Sequence, residues 1–582
     1  MYFKKTKIVC TMGPATDRPG VIEGLLAGGM NVARLNFSHG SHEEHAARIK
    51  RIKQARQETE MPLAIMLDTK GPEIRTGDVE GGKVEVHEGD QLILTTEDIV
   101  GDASRISVGY EGLPGDVSAG DMILIDDGLI GLTVESVEGT EINCRVTNGG
   151  TIGSKKSINV PGVSTNLPGL TEKDEADLIF GIKHGVDYVA ASFIRKPQDV
   201  IAIRKVLDNN AGSDIHIISK IENREGVENI DKILAVSDGI MVARGDLGVE
   251  IPAEDVPLVQ KSIIKKCNAL GKPVITATQM LDSMIRNPRP TRAEVGDVAN
   301  AVFDGTDAVM LSGETAAGDH PVEAVKTMAN IAIKIETSDE YRHHIKPEYG
   351  EMTITNAVGE SVVSLAENLN AKAIISGTAS GYTPRMLSKY RPECPIFCVS
   401  NSYATVRRVC LNWGVYGMYH DDFDDADEMV MDIVNIVASA DVLKTGDLIV
   451  FAAGVPLGIQ GDTNLIKVHI VGNALLSGVG VGGGKPLSGI VRLSTGDLSK
   501  FQEGDILVTN AVTSSITPVL DKAAAVIVAQ SGENPAADHI ASDYGIPVIK
   551  NVSKAMDILS DGKQISLDPV HGLIYQGLVH LH

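Results

Sequence analysis

The sequence predicts an α/β protein built on a (β/α)8 TIM barrel, and three observations support this prediction. Eight short runs of β-branched and aliphatic residues precede residue 320, and helix-length amphipathic segments separate most of them. Four segments repeat a weak pattern in which a turn is followed by apolar and then polar residues: GMNVARLNFS, GVDYVAASF, SDGIMVARGD and GTDAVMLSGE. The chain has 582 residues, enough for about four domains of roughly 150 residues, so the barrel is one domain among several.

The predicted barrel strands are residues 7–12, 31–37, 63–68, 188–193, 216–221, 240–244, 273–278 and 308–311. Parallel strands that alternate with helices close into a barrel when the unit occurs eight times. In such barrels the active site lies at the carboxyl ends of the strands. We therefore expect functional side chains where each run ends.

A smaller β-domain is predicted inside the barrel sequence. The catalytic barrel comprises residues 1–70 and 171–339, and residues 71–170 between its third and fourth strands alternate in hydropathy like an antiparallel sheet. This inserted β lid domain leaves and rejoins the barrel at the active rim. We expect it to exclude water during the reaction.

Two further domains are predicted after the barrel. Residues 340–473 read as a second α/β domain, and residues 474–582 as an extra C-terminal domain rich in β signals. The run LLSGVGVGGG near the start of the extra domain is typical of a linker. Its glycines match the letters of the dinucleotide fingerprint GxGxxG, but no helix follows, so we reject a dinucleotide site.

The composition argues against two classes of partner. The chain has 53 Lys and Arg against 77 Asp and Glu, a net charge of −24, which disfavours binding to nucleic acid or to an anionic membrane surface. It also has no apolar stretch long enough to span a membrane and no apolar segment after the basic start. A cytoplasmic protein is expected.

Polar and charged residues occur at the ends of the predicted strands. Alternation places Arg34, Asn36 and Ser38 on one face of the second run, and Lys220 and Glu222 at the end of the fifth. The third, sixth and seventh runs end in Asp68-Thr69-Lys70, Arg244-Gly245-Asp246 and Thr276-Ala277-Thr278. Oxygen ligands among cations suit Mg2+ bridging phosphates better than zinc. One such pair alone would indicate a salt bridge at the barrel mouth, but five strand ends together predict an active site.

From about residue 1 to 472 the sequence resembles the pyruvate kinase family. The motifs that carry the resemblance are RLNFSHG (34–40), LDTKGPEIR (67–75), GSKKSINVPG (153–162), IISKIEN (217–223), MVARGDLGVE (241–250), ATQMLDSM (277–284) and GTDAVMLSGETAAG (305–318). The resemblance implies transfer of the phosphoryl group of phosphoenolpyruvate to ADP, giving pyruvate and ATP in the last step of glycolysis.

The resemblance also implies roles for individual residues. Lys220 would stabilise the phosphoryl group in flight, and Glu222 and Asp246 would bind Mg2+ or Mn2+. Phosphoenolpyruvate would contact Arg34, Gly245, Asp246 and Thr278, and Thr278 would lie near the carbon that is protonated. The proton could come from Thr278 or from water. The expected contacts to the nucleotide phosphates are Asn36, Phe37, Ser38, His39, Arg75 and Lys156.

A monovalent cation is expected as well. The residues that resemble the K+ ligands of family members needing this ion are Asn36, Ser38, Asp68 and Thr69. Glu73 indicates the same requirement, because family members with a lysine at this position do without K+. Either Asn36 or Ser38 alone would be read as a strand-end cap. Asp68 beside Thr69 on the neighbouring strand favours the ligand role.

The second α/β domain carries a Ser/Thr/Gly-rich turn, SGTASGYTPR at 376–385. In the family, the corresponding loop receives phosphorylated small-molecule effectors, and this domain usually forms an interface of a homotetramer. An ordinary N-capped turn stays open as an alternative for the loop.

The extra domain resembles the swivelling phosphohistidine domain of phosphoenolpyruvate-utilising enzymes. That domain carries its phosphorylated histidine in a TSHA motif upstream of GIPV. Counting back from GIPVI places Ala536 at the histidine position, so the nucleophile is missing. We expect His539, three residues later, to be a surface histidine.

Two other functions fit parts of the pattern. A barrel aldolase or lyase acting on pyruvate enolates also needs a pair of metal-binding carboxylates, but the GSKKS lysines and IISKIEN argue against it. A catalytically silent metabolite sensor would be expected to have lost Lys220, Glu222 or Asp246, and all three are present.

Overall fold

The computed structural model describes residues 4–344, 353–421, 437, 443–444, 447–454, 463–471 and 474–577. These residues form two compact units. The first unit contains the described residues of 1–364, 376–422 and 452–465, and the second those of 365–375, 423–451 and 466–582. Within the described ranges, no helix is both long and apolar enough to cross a membrane.

Eight parallel strands close into a barrel in the first unit. Each strand pairs with its neighbours in chain order, and the eighth pairs with the first. The strands are Lys7–Thr11, Val32–Asn36, Ala64–Asp68, Tyr188–Ala191, His216–Ile221, Gly239–Ala243, Val274–Ala277 and Ala308–Leu311. The predicted (β/α)8 barrel is confirmed, and the bounds of each predicted strand are within two residues of those observed.

Helices follow the strands on the outside of the barrel. The α-helices up to residue 344 are Val21–Gly28, His42–Thr59, Leu113–Asp116, Glu172–Lys183, Pro197–Asn209, Arg224–Glu228, Ile230–Val236, Arg244–Glu250, Val256–Leu270, Arg292–Phe303, Gly313–Ala316, Pro321–Glu336 and Asp339–His344. Ser41, Thr171 and Thr291 start three of them with capping boxes, in which the cap side chain and an acidic residue three positions later bond reciprocally to backbone N–H groups.

The inserted domain is a β-structure, as predicted. Its strands are Ile74–Arg75, Lys83–Val86, Gln91–Thr95, Arg105–Ser107, Met122–Ile125, Ile130–Glu138, Glu141–Asn148, Gly150–Gly153 and Ser157–Asn159. Seven of them form one sheet, which is antiparallel except for the pairing of Gln91–Thr95 with Arg105–Ser107. A separate apolar core, including Leu92, Leu132 and Ile142, supports this sheet.

The strands of the second α/β region are Ala373–Gly377, Ile396–Ser400, Val415–Tyr419, Leu448–Ala453 and Leu465–Ile470. Its helices are Ile354–Asn368, Tyr382–Ser388 and Tyr403–Arg408. Apolar runs at 371–375, 395–399 and 447–451 predict the first, second and fourth of these strands, which are present with shifts of one or two residues. Within the predicted domain, the residues outside the described ranges are 345–352, 422–436, 438–442, 445–446, 455–462 and 472–473.

The C-terminal region forms an eight-stranded sheet in the second unit. Its strands are Ala474–Ser477, Val479–Val481, Leu487–Leu493, Ile506–Thr509, Ala525–Val528, Val548–Lys550, Gln564–Asp568 and Leu573–Gln576, and its helices are Thr517–Leu520, Pro535–Tyr544 and Ala555–Ile558. Ala536 and His539 lie on the longest of these helices with exposed side chains.

The prediction of a linker at LLSGVGVGGG is wrong for most of its length. Residues 474–477 and 479–481 are strands that pair with residues 573–575 and 548–550. Gly480 is needed here because a Cβ at this position would lie 1.8 Å from the carbonyl oxygen of Pro569. These glycines therefore permit a close approach of two backbone segments, which sequence composition does not distinguish from flexibility.

One buried ion pair ties residues 388–413 to the amino end of the barrel. Arg391 Nη1 lies 2.8 Å from Asp307 Oδ1, and Nη2 donates to the carbonyl of Gly305 at 2.7 Å and to Asn268 Oδ1 at 2.8 Å. The Arg391 guanidinium also lies 4.9 Å from the centroid of a Trp413 ring. Only 4% of the Arg391 side chain and 7% of the Asp307 side chain are exposed.

We predict that Arg391→Met destabilises the protein strongly, because it leaves the Asp307 carboxylate buried without its cation. Breaking a buried pair in this way costs about 3–5 kcal/mol, which corresponds to a fall in Tm of roughly 5–10 °C. Arg145→Met is the matched control, since Arg145 pairs with Glu135 on the surface and surface pairs contribute under about 1 kcal/mol. Differential scanning calorimetry checks both variants, and equal Tm shifts would contradict the prediction.

Candidate active site

A group of charged side chains meets at the carboxyl ends of the third, fourth and fifth barrel strands. The Nζ atom of Lys220 lies 3.1 Å from Asp68 Oδ1, 2.9 Å from Glu222 Oε1 and 2.7 Å from Ser192 Oγ. Arg34 joins them through Asp68. All five residues are buried, and we term them the mouth cluster.

Alternation along the strands explains why charges meet at this level of the barrel. Val32 and Ile218 belong to the apolar core inside the barrel. Two residues further along the same strands, the inward-facing series continues with Arg34 and Lys220. The sequence pattern therefore places both cations above the apolar core, at the barrel mouth.

Asp68 is held between the two cations. Arg34 Nε donates to Asp68 Oδ2 at 2.6 Å, and Arg34 Nη1 donates to Thr11 Oγ1 at 2.8 Å. Burial opposes ionisation, but Arg34 and Lys220 outweigh it and lower the pKa of Asp68. Burial likewise opposes the charge on Lys220, and Asp68 and Glu222 outweigh it and raise the Lys220 pKa. Asp68 and Lys220 therefore carry their charges.

Ser192 connects the mouth cluster to the third strand. Its Oγ atom donates to the carbonyl of Thr69 at 2.6 Å and lies 3.2 Å from Asp68 Oδ1, and its backbone N–H donates to Thr69 Oγ1 at 3.1 Å. Sequence reasoning did not single out Ser192. A sequence signal for Ser192 was present, because it lies at the end of the fourth apolar run, where the other strands also carry polar residues.

Glu222 and Asp246 supply the two carboxylates predicted to bind a divalent metal ion. Glu222 Oε2 accepts a hydrogen bond from the N–H of Phe193 at 2.5 Å, and burial raises the pKa of Glu222 to about 7. Asp246 opens into the cleft, and desolvation by the surrounding protein raises its pKa despite the charge of Lys220. The raised pKa values mean that nearby positive charge does not fully compensate the two ionised carboxylates. A bound cation would supply the missing compensation.

The donor set also fits the kind of metal ion. Among the described residues, no group of three or more His, Cys, Asp or Glu side chains could hold a metal by itself. Mg2+ is usually held by one or two carboxylates together with substrate phosphates and water. Two carboxylates beside a lysine therefore suit Mg2+ or Mn2+ that arrives with a phosphorylated substrate.

Thr278 is held in a strained conformation at the end of the seventh strand. Its φ angle is +69°, and that of Gln279 is +54°, a region that β-branched residues rarely adopt. The Thr278 hydroxyl accepts from the N–H of Gly245 at 2.8 Å and donates to the carbonyl of Ala277 at 2.6 Å. These bonds join the ends of the sixth and seventh strands.

Arg244 keeps this strained backbone in place. Its Nη2 atom donates to the carbonyl of Thr278 at 2.7 Å and its Nε atom to that of Ala277 at 3.1 Å. Asp297 holds the guanidinium on its other side through two contacts of 2.6 and 2.7 Å. Sequence reasoning placed Arg244 at a strand end but gave it no role.

The predicted segment 36–39 lies beside the mouth cluster. Asn36 stands opposite Asp68 in the strand register, and its Oδ1 atom accepts from the N–H of Ser38 at 3.1 Å. Ser38 and His39 are exposed. The Phe37 ring is buried and stacks on the His45 ring at 4.0 Å between centroids, so only its backbone could face a ligand.

The predicted inserted-domain residues engage acidic or backbone partners. Lys156 Nζ lies 3.0 Å from Asp126 Oδ1, and Arg75 contacts Glu73 at 2.8 Å and the carbonyl of Lys155 at 2.6 Å. Within the described ranges, no hydrogen bond or ion pair links Lys156 or Arg75 to the mouth cluster. The structure therefore places these two residues on the inserted domain without joining them to Lys220.

A cleft of about 390 Å3 lies between the inserted domain and the barrel. Asp246 and Phe193 line it from the barrel side, and Glu73 and Ser157 from the inserted domain. Asn159 of the inserted domain also donates to Glu250 of the barrel at 2.8 Å. Asp246, one of the two predicted metal ligands, thus faces a space large enough for a small molecule.

Models of three domain families match the chain. The barrel domain of pyruvate kinase matches residues 3–325, and its alpha/beta domain matches residues 356–469. The chain belongs to the pyruvate kinase family. The mobile domain of PEP-utilising enzymes matches residues 501–572, as the sequence resemblance predicted.

Full-length relatives of this family resemble the whole chain. A pyruvate kinase from Geobacillus stearothermophilus is 51% identical over 580 residues, and one from Bacillus licheniformis is 50% identical over 580 residues; each alignment covers 99% of both chains. The crystal structure of a pyruvate kinase from Cryptosporidium parvum matches with a TM-score of 0.76 at 40% identity, covering 81% of this chain and 96% of that chain.

These matches confirm the predicted fold, family and function. This chain is a phosphotransferase that transfers the phosphoryl group of phosphoenolpyruvate to ADP, giving pyruvate and ATP. The comparisons favour this activity over the aldolase or lyase and over the silent sensor. The relatives also align along the extra C-terminal region, so this region is a shared part of such chains.

We predict that Arg244→Lys lowers kcat/KM for phosphoenolpyruvate by roughly 10- to 100-fold, because a lysine cannot hold two carbonyls and Asp297 at once and Thr278 is then displaced. Asp297→Asn should lower it less, since the amide retains one contact. Steady-state kinetics checks both. Arg289→Lys, an exposed arginine, is the control. If Arg244→Lys had the same kcat/KM as the Arg289→Lys control, the contacts of Arg244 to the backbone of Thr278 would have no catalytic effect.

Proposed function

We propose that the mouth cluster, with Asp246 and Thr278, is the site of phosphoryl transfer. The observation that supports this most directly is the position of Lys220, a buried cation held by Asp68, Ser192 and Glu222. Phosphoryl transfer spreads charge over oxygens in a loose transition state, so a fixed cation lowers its energy. Lys220 is already oriented by three contacts and needs little reorganisation.

Glu222 and Asp246 are proposed to hold Mg2+ or Mn2+. The bound metal ion would neutralise phosphate charge and align donor and acceptor oxygens. Burial supports this role, since the pKa of Glu222 is raised to about 7 although Lys220 lies 2.9 Å away, so its charge is only partly compensated. The protein contributes the rigid placement of the two carboxylates at the ends of adjacent strands.

Phosphoenolpyruvate is proposed to bind between Arg34, Gly245, Asp246 and Thr278. Arg34 is fixed by Asp68 and Thr11 and presents a buried guanidinium for an anionic group. The Thr278 hydroxyl, joined to the N–H of Gly245, lies at the same rim. We propose Thr278, directly or through water, as the route of the proton to the enolpyruvate carbon.

We propose that the nucleotide contacts six residues: Asn36, Phe37, Ser38, His39, Arg75 and Lys156. Arg75 and Lys156 belong to the inserted domain and lie on its side of the cleft. The Phe37 contribution is limited to its backbone, because the ring is buried. Closure of the inserted domain over the nucleotide would exclude water from the transferred phosphoryl group.

We propose K+ as a second cation, held by Asn36, Ser38, Asp68 and Thr69. The strand register that sets Asn36 opposite Asp68 supports this set, and Ser38 bonds to Asn36. Thr69 is buried beside Asp68. Hydroxyl, amide and carboxylate oxygens are the ligands expected for such a hard cation.

A phosphorylated effector, a homotetramer and a cytoplasmic location complete the proposal. They rest on the family to which the chain belongs, and the loop at 376–385 is the proposed effector contact. In the structure residues 378–381 of this segment join the strand Ala373–Gly377 to the helix Tyr382–Ser388.

We predict that Lys220→Met lowers kcat by at least 10²–10³-fold while Mn2+ and phosphoenolpyruvate still bind, because the lost cation acts mainly on transition-state charge. Turnover of phosphoenolpyruvate and ADP measures kcat, and Mn2+ relaxation measures metal binding. Lys205→Met, an exposed lysine, is the control. Turnover within a few-fold of wild type would refute the assignment of Lys220.

We predict that activity depends on K+ and that Glu73→Lys relieves the dependence, since a fixed ammonium could replace the diffusible cation. In the structure Glu73 contacts Arg75, so Glu73→Gln is the control that breaks this pair without adding an ammonium. Salt titrations with a tetraalkylammonium salt at matched ionic strength provide the measurement. Full wild-type activity in that salt alone would contradict the prediction.

We predict that the C-terminal domain relays no phosphate. The expected histidine position holds Ala536, whose methyl group has no lone pair, and His539 is exposed on the surface of its helix. Incubation with radiolabelled phosphoenolpyruvate should leave no acid-labile, base-stable label on residues 474–582. Such a label on His539, absent from a His539→Ala variant, would show a displaced phosphoacceptor.

A further inference from the structure

The first barrel helix after the inserted domain, Glu172–Lys183, packs beside the segment 36–39, and we term it the return helix. Thr171 caps it, at the predicted point where the chain comes back from the inserted domain to the barrel. None of the motifs that carry the family resemblance includes residues of this helix, and the proposed mechanism uses none of them. Two of its polar side chains nevertheless contact the segments that follow the second and third barrel strands.

Lys173 of the return helix holds the carbonyl group of Phe37. Its Nζ atom donates to that carbonyl oxygen at 2.9 Å and to Asp177 Oδ2 at 2.6 Å. Lys173 and Asp177 are four residues apart, so they are neighbours on one face of the helix. The exposed fraction is 51% for the Lys173 side chain and 1% for that of Asp177. The buried carboxylate therefore orients a partly exposed ammonium group toward the Phe37 carbonyl.

Asp177 also contacts the helix that follows the segment 36–39. Its Oδ1 atom lies 2.7 Å from Nε2 of His42, the first residue of the helix His42–Thr59. A buried carboxylate costs free energy unless its oxygens have polar partners, and here both oxygens have one. Asp177 thus joins the two sides of the segment, to Phe37 through Lys173 and to His42 directly.

The rest of Phe37 is held by other contacts. Its ring stacks on the His45 ring at 4.0 Å between centroids and lies 5.7 Å from the ring of Phe180, another residue of the return helix. Its N–H group donates to the carbonyl of Asp68 at 2.9 Å. The ring, the N–H group and the carbonyl of Phe37 therefore each have a partner, and Lys173 is the partner of the carbonyl.

The residue next to Lys173 holds the loop after the third strand. Asp174 Oδ1 accepts from the N–H of Gly71 at 3.0 Å, and its Oδ2 atom accepts from the N–H and the hydroxyl of Thr171 at 3.1 and 2.6 Å. Gly71 has a φ angle of +71°, and a Cβ there would lie 2.9 Å from the Cβ of Ser192. Asp174 therefore fixes a backbone position that already has little freedom to shift.

We infer that Lys173 is a positioning residue for the reaction, which fixes the segment 36–39 relative to the end of the third strand. The inference rests on the proposed function, in which Asn36 and Ser38, on either side of Phe37, are K+ ligands. The same segment is proposed to contact the nucleotide. Lys173 itself contacts neither ion nor substrate in this proposal and acts through the Phe37 backbone.

One turn of the return helix holds both halves of the proposed K+ site. Lys173 holds the segment with Asn36 and Ser38, and Asp174 holds the loop that follows the other two ligands. Groups that orient metal ligands typically contribute about 10- to 100-fold to metal affinity. Loss of the Lys173 contact should therefore weaken K+ activation and nucleotide binding more than it slows phosphoryl transfer.

The kinetic test compares Lys173→Met and Lys173→Arg with Lys183→Met, which removes an exposed lysine from the last turn of the same helix. In Lys173→Met the half-activating K+ concentration and the KM for ADP should rise about five- to tenfold. At saturating K+ and ADP, kcat and the KM for phosphoenolpyruvate should stay within about twofold, because the mouth cluster keeps its contacts. Lys173→Arg should restore both values, since a guanidinium can donate to the Phe37 carbonyl and to Asp177. A loss of stability alone would lower the active fraction without changing the half-activating K+ concentration.

Hydrogen–deuterium exchange of the full chain, without K+ or substrates, gives a readout that does not depend on turnover. The N–H groups of Phe37, Ser38 and His39 are bonded at 2.9, 3.1 and 3.3 Å. Release of the Phe37 carbonyl should loosen these bonds, so residues 36–41 should exchange faster in Lys173→Met. Their exchange should match the wild type in Lys173→Arg and Lys183→Met.

Two results would each overturn the inference. One is a half-activating K+ concentration and a KM for ADP in Lys173→Met that are within about twofold of the Lys183→Met values. The other is equal exchange of residues 36–41 in these two variants. Failure of the proposed function is seen separately, in a wild-type chain that lacks turnover or whose turnover is independent of K+. The exchange comparison then still decides whether Lys173 positions the segment.

Discussion

The structure of the active site depends on one constraint, the pairing of buried charges at the mouth of the barrel. An ion cannot be buried at low dielectric without a partner, and Asp68 meets this requirement for both Arg34 and Lys220. The three residues come from three different strands, so their pairing also fixes how those strands end relative to one another. Removing Asp68 would leave Arg34 without its carboxylate and Lys220 with Glu222 alone.

The same constraint supports the proposed binding of a divalent cation at this site. Arg34 and Lys220 contribute two positive charges, whereas Asp68, Glu222 and Asp246 contribute three negative ones. The raised pKa values of Glu222 and Asp246 report this imbalance, since burial penalises charge that is not compensated. A metal ion held together with substrate phosphates would restore the balance, and this is why the proposed metal ligands belong to the proposed site of phosphoryl transfer.

The sequence predicted the barrel and the position of the charged side chains at its mouth because both depend on local patterns. Apolar runs and the alternation that follows them locate Lys220 and Arg34 without tertiary information. Ser192 was missed because an uncharged serine after a strand is common, and its role comes from contacts with two other strands. The prediction of a linker near Gly480 was wrong because glycine-rich sequences serve both flexible linkers and strands whose backbones approach closely. Composition alone does not distinguish the two cases.

The two ends of the barrel handle buried charge differently, although the same strands build both. Near the amino ends, the Arg391 guanidinium pairs with the Asp307 carboxylate at 2.8 Å, so each of these buried charges has its partner within the chain. At the mouth, Glu222 and Asp246 keep raised pKa values although the charge of Lys220 acts on both. The strand residues between the two ends are apolar. The charges that are fully paired near the amino ends therefore serve stability, whereas the incompletely compensated carboxylates at the mouth are available to a ligand.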